Sequence, residues 1–112
     1  MILVDSSVWI DYFNGNISTE TNTLDRLLGV EPLAIGDLIL TEVLQGFRAD
    51  NDYQTAKSLL MTLTVFDMLG SELAIKAADN FRLLRKQGIT IRKTADVIIA
   101  TYCIEHRHTL LF

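Results

Sequence analysis

With 112 residues, 49% of them hydrophobic and 21% charged, the chain suits one folded domain with its own core and is too apolar for a disordered segment. Its formal charge of −4 argues against a broadly basic surface. No apolar run reaches the ~18 residues that span a bilayer, and the opening MILVDSS lacks the basic-then-apolar order of a secretory signal. The single cysteine, Cys103, permits no internal disulfide, which agrees with a reducing cytoplasm.

Taken in chain order, Ile2–Val4 reads as a short buried strand, apolar at consecutive positions as central parallel strands are. Ser7 is a candidate cap for a helix through Phe13, stopped by Asn14-Gly15-Asn16. Leu24, Leu27 and Leu28 keep helical spacing up to Gly29, and Pro32 leads into a second strand, Leu33–Ile35. Asp37 is the expected N-cap of a helix whose Leu40, Val43, Leu44 and Phe47 share a face. Tyr53, Ala56, Leu59, Leu60 and Leu63 form another apolar stripe, and Thr64–Asp67 reads as a third strand. Leu73, Ala77, Phe81 and Leu84 mark a long helix closed by Gly88. The run Thr94 to His106 is apolar nearly all round, so that helix should be central, and Thr109 to Phe112 resembles a fourth strand. Strands alternating with helices predict an α/β domain with a mostly parallel sheet covered on both faces.

Three acids stand out against this apolar background. Asp5 ends the first strand, Glu42 is expected just inside the helix after the second, and Asp96 opens the helix that begins near Thr94. Carboxylates so close to apolar segments are costly unless neutralised, and hard divalent cations with oxygen ligands neutralise them and activate water against phosphate esters. The pattern points to a metal-dependent phosphodiesterase. An Asp after the first strand also occurs in haloacid-type phosphatases, which need a second acid where Ser7 stands, and in receiver domains, which need paired acids. Neither pattern is met.

The acids together with their surroundings resemble the PIN-domain nucleases, and the VapC-type toxins in particular. The resemblance rests on Asp5 followed by Ser6-Ser7 and Trp9-Ile10, on LILTEVLQG around Glu42 and on RKTADVIIATYC around Asp96, and it runs from Met1 to Phe112. It implies a single three-layer α/β/α domain with a sheet of four or five strands. The implied activity is that of an Mg²⁺- or Mn²⁺-dependent endoribonuclease, the toxin of a type II toxin–antitoxin system, neutralised by a cognate antitoxin and expected to form a homodimer in the cytoplasm. Asp5, Glu42 and Asp96 would be its metal ligands. Ser6 and Thr94 would either orient the carboxylates or cap helices. Arg82, Arg85, Lys86, Arg92 and Lys93 hold five of the ten basic charges, either as a solvated face or as a phosphate-contacting rim, with Arg85, Arg92 and Lys93 the candidate RNA contacts. The Tyr53–Leu63 stripe is core or, in such proteins, part of the homodimer and antitoxin surface. Trp9 is read as core packing with base stacking as the alternative, Cys103 as a small buried hydrophobe, and His106 and His108 as lacking an acid at ligand spacing.

The chain departs from this pattern at its end. The family usually adds a fourth acid and a last strand beyond the position of Phe112, and neither is present. A three-carboxylate site should hold metal more weakly, and the sheet should expose an edge. A truncated or degenerate domain that binds antitoxin or RNA without cutting is the alternative reading.

Overall fold

Consecutive apolar residues make the two central strands of this chain short and deeply buried. The computed structural model describes residues 1–112. Its elements are β1 (Ile2–Val4), α1 (Ser6–Phe13), α2 (Thr19–Leu27), β2 (Leu33–Gly36), α3 (Asp37–Leu44), α4 (Asp50–Leu60), β3 (Thr64–Phe66), α5 (Ser71–Lys86), α6 (Thr94–His106) and β4 (Thr109–Leu111). Every residue of β2 is buried, whereas Thr64 and Val65 of β3 are exposed, as suits an edge strand.

The four strands are all parallel, in the order β3-β2-β1-β4. Ile2 pairs with Leu33 on one side and Thr109 on the other, and Ala34 pairs with Thr64. Parallel strands require crossovers, and crossovers are right-handed. The steps β1→β2→β3 run one way across the sheet, so α1 to α4 fall on one face. The step β3→β4 runs back, so α5 and α6 fall on the other. The helix packing follows this division: α1 lies on α2 and α3, α3 lies on α4, and α5 lies on α6. The order reverses between β1 and β4, and crevices open beyond the strand C-termini at such a switch point.

The core joins both helical layers to the sheet. Leu3, Val4, Ala34 and Ile35 are fully buried against Trp9, Leu24, Ile39, Leu60 and Ile99. Trp9 stacks on Phe13 at 5.9 Å, and Phe13 meets Phe47 edge-on at 5.6 Å, so an aromatic cluster fixes α1 against the turn after α3. Phe47 reaches the core from beyond the last turn of α3. With no exposed surface, Trp9 is a core residue and offers nothing to a nucleobase.

Three capping expectations differ from the structure. Asp5, not Ser7, caps α1, because its carboxylate accepts the Ser7 N–H. Asp37 is the first residue of α3; Gly36 is the N-cap and supplies no side-chain bond. Thr94 is likewise the first residue of α6, and no side chain caps that helix. α3 and α6 start on the polar residue expected to precede them, and α1 starts one residue before Ser7, which is the usual scatter of helix ends.

Gly36 is required by packing. A Cβ there would overlap the buried Met68 side chain. Gly36→Ala should therefore lower stability by about 1–3 kcal/mol, read as a lower midpoint in denaturant unfolding.

His108 stacks on Phe66 with ring centroids 5.2 Å apart, and its buried Nδ1 has no partner. Burial, then the charges of the N-terminus and His106, holds its pKa below the ordinary histidine value, against an opposing hydrogen bond with the Met1 backbone. The unfolded chain therefore takes up this proton more readily, and stability drains away as pH falls below about 6.5. His108→Phe, which keeps the stack, should flatten the pH dependence of the melting temperature between about pH 7 and 5. An unchanged slope would remove His108 from the acid sensitivity.

Candidate active site at the sheet's switch point

Asp5 follows β1 directly and is half-buried at the point where the strand order reverses. Its backbone N–H donates to the Leu111 carbonyl of β4 at 2.8 Å, which continues the pairing of the two central strands. Its Oδ2 accepts the Ser7 N–H at 3.3 Å and the Ser7 hydroxyl at 2.6 Å. The hydroxyl that orients this carboxylate thus belongs to Ser7 and not to Ser6. Both bonds fall on Oδ2, which leaves Oδ1 for a further ligand.

Glu42 sits in the second half of α3 rather than at its opening, six residues into an eight-residue helix. Its Oε1 is buried and has no hydrogen-bond partner. An anionic oxygen taken from water and left unpaired costs several kcal/mol, so such a group marks a place where a cation or donor belongs.

Asp96 is the third residue of α6 and is exposed. Because α6 returns the chain to the start of β4, its N-terminus lies toward the same sheet edge as Asp5. Asp96 lines a groove between α5 and α6 with Asn80, Leu84 and Ile91, and the Asn80 amide donates to the Thr101 hydroxyl at 3.0 Å beneath it. Asp96, Ile99 and Cys103 share one helical stripe. Burial, then the charge of Asp5, raises the Cys103 thiol pKa, so this stripe runs toward Asp5 and the thiol stays protonated and inert.

As they stand, Asp5, Glu42 and Asp96 do not close into a group that could hold an ion. Their chemistry nevertheless fits one: all are hard oxygen donors suited to Mg²⁺ or Mn²⁺, and the orphaned oxygen of Glu42 is the kind of atom that a cation would satisfy.

A fourth acid at this edge was hidden by its reading as a cap. Asp37 follows β2, and its Oδ1 accepts the N–H of Leu38 at 2.9 Å and that of Met68 at 3.0 Å. It ties the start of α3 to the segment after β3 and so fixes the helix that carries Glu42. Its signal in the sequence was its place one residue beyond an apolar strand, the same signal that Asp5 gives. Thr94 is exposed and makes no cap, and Arg82, Arg85, Lys86, Arg92 and Lys93 are exposed along the end of α5 and the loop before α6.

Comparison with known proteins agrees with this architecture. Residues 2–112 match the PIN domain model. Ribonuclease VapC11 of Mycobacterium tuberculosis is 34% identical, the alignment covering 95% of this chain and 81% of that protein. Among solved structures, VapBC2 of Rickettsia felis superposes with a TM-score of 0.76 at 20% identity, over 98% of this chain and 85% of that one. A toxin–antitoxin complex from Klebsiella pneumoniae gives 0.72 at 21% identity, over 98% and 83%. The two structural likenesses speak for the fold alone. No helix is long and apolar enough to cross a membrane. The parallel sheet, its switch-point acid and the match across nearly the whole sequence together make this chain a member of the PIN-domain family, in the branch of the VapC ribonucleases.

Proposed function

We propose that this chain is the toxin of a type II toxin–antitoxin pair and hydrolyses RNA phosphodiester bonds with a divalent metal ion. The buried, unpartnered Oε1 of Glu42 carries this reading, because a cation would satisfy a carboxylate oxygen in that state and the relatives at 34% identity are named ribonucleases. Asp5, Glu42 and Asp96 would hold Mg²⁺ or Mn²⁺. When bound, the ion supplies acidification of a water and positive charge against the negative charge that grows on the phosphorus oxygens. Ser7 keeps the Asp5 carboxylate turned so that Oδ1 stays free, and Asp37 holds α3 in register so that Glu42 faces the site. Arg85, Arg92 and Lys93 are placed to meet backbone phosphates. The working form would be a homodimer in the cytoplasm, held inactive by a cognate antitoxin.

Asp5 combines a cap with a ligand, and substitution separates the two. Asn caps as well as Asp does, so Asp5→Asn should keep stability within about 0.5 kcal/mol while RNA cleavage in Mg²⁺ falls by at least about a hundredfold. Asp5→Ala should lose activity and about 1 kcal/mol of stability as well. Gel analysis of RNA cleavage and thermal melts read both effects. Cleavage by Asp5→Asn equal to that of the unsubstituted protein, or cleavage that survives chelation of the metal, would contradict the proposal.

A further inference from the structure

The pair α5–α6 opens a cleft of about 450 Å³ beside the first turn of α6. Three alanines of α5 (Ala74, Ala77 and Ala78) and Val97 of α6 make a smooth apolar floor, and Phe81 forms a wall. Arg82 and Arg85 stand at the rim, with the Arg85 guanidinium 5.8 Å from the Phe81 ring centroid. No carboxylate lines the cleft. The salt bridges of the chain are both made by Lys76, so neither arginine is neutralised by a neighbour, although the protein carries 14 acidic residues. Val97 lines this cleft and also the groove that holds Asp96, which puts the two on either side of one helical turn.

An apolar slot with an aromatic wall and an unpaired arginine rim complements one chemistry well: a flat aromatic base joined to phosphates. We infer that the α5–α6 cleft receives one unpaired base of the RNA, stacked beside Phe81, with the flanking phosphates on Arg82 and Arg85 and the strand led past Asp96. The inference rests on the ribonuclease reading and adds to it a subsite between α5 and α6 for one base free to leave its stack. Because the floor offers no hydrogen-bonding side chain, and Thr94 alone brings a hydroxyl to the lining, the cleft should select for an unstacked base more than for its identity. An acidic peptide would satisfy the arginines equally well but leaves the apolar cleft beside Phe81 unexplained.

The test is fluorescence anisotropy with a short labelled single-stranded RNA, in EDTA so that nothing is cut, beside an equally long abasic strand. Ala78 is exposed, so Ala78→Trp should fill the cleft without disturbing the core, and a thermal melt checks this; Ala78→Leu serves if the larger side chain unfolds the protein. The filled cleft should bind the intact strand about tenfold more weakly and the abasic strand as the unsubstituted protein does. Replacing Arg82 and Arg85 together by Ala should weaken both strands and reduce the salt slope of binding by about two. Equal affinity of Ala78→Trp for the intact strand overturns the inference, as does an equal loss on both strands. So does a filled cleft that still binds RNA but no longer binds the antitoxin, which would assign it to the protein partner. If the unsubstituted protein binds and cuts RNA while cleft filling has no effect, only the cleft assignment falls. If it neither binds nor cuts RNA, the ribonuclease reading falls as well.

Discussion

The handedness of parallel crossovers decides where chemistry can occur in this molecule. Once β1, β2 and β3 run in sequence across the sheet and the chain returns to place β4 beside β1, a right-handed path must put α1 to α4 on one face and α5 and α6 on the other. The two layers part between β1 and β4, where helices no longer cover the strand ends from the same side. Asp5 stands at that parting, and its N–H is bonded to Leu111 of the neighbouring strand. The N-terminus of α6 is delivered to the same edge because the helix must run antiparallel to the strand it feeds. The site is thus a consequence of topology before it is one of side chains.

What the side chains add is a carboxylate set whose members are held in different ways. Asp5 is held by a local hydrogen-bonded turn with Ser7, Glu42 by the packing of α3 under the aromatic cluster of Trp9, Phe13 and Phe47, and Asp96 by its place on the first turn of α6. Asp37 is spent on two backbone N–H groups and is therefore a fastener rather than a free ligand. The contrast with Glu42 is instructive: two acids on one helix, one satisfied by the protein and one left with a bare buried oxygen. Such an oxygen calls for a partner, and a bound cation would supply one.

Much of this was readable from residue order alone. Consecutive apolar residues identified β1 as a central strand, Pro32 led into β2, and the helical stripe from Leu73 to Leu84 marked α5, which runs Ser71–Lys86. The family likeness was legible because its motifs sit at element ends, where topology leaves little freedom. Local polar chemistry was less legible. Asp5, Ser6 and Ser7 are all capable caps, and only the backbone angle at Asp5 decides which one serves. The Asp37–Met68 bond spans 31 positions and leaves no trace in local pattern. Which of the five basic residues flank an acid-free cleft was likewise invisible, since it depends on how α5 packs against α6.

The central claim is that the orphaned oxygen of Glu42 belongs to a cation site, and metal-linked stability addresses it without requiring any RNA. A ligand that binds only the folded state at about 100 times its dissociation constant adds about 2.7 kcal/mol of stability, a shift of several degrees for a domain this size. Melting temperature measured against Mn²⁺ up to millimolar concentration should therefore rise in the unsubstituted protein and stay flat in Glu42→Gln. An equal rise in both proteins, or none in either, would contradict the assignment of Glu42 as a metal ligand.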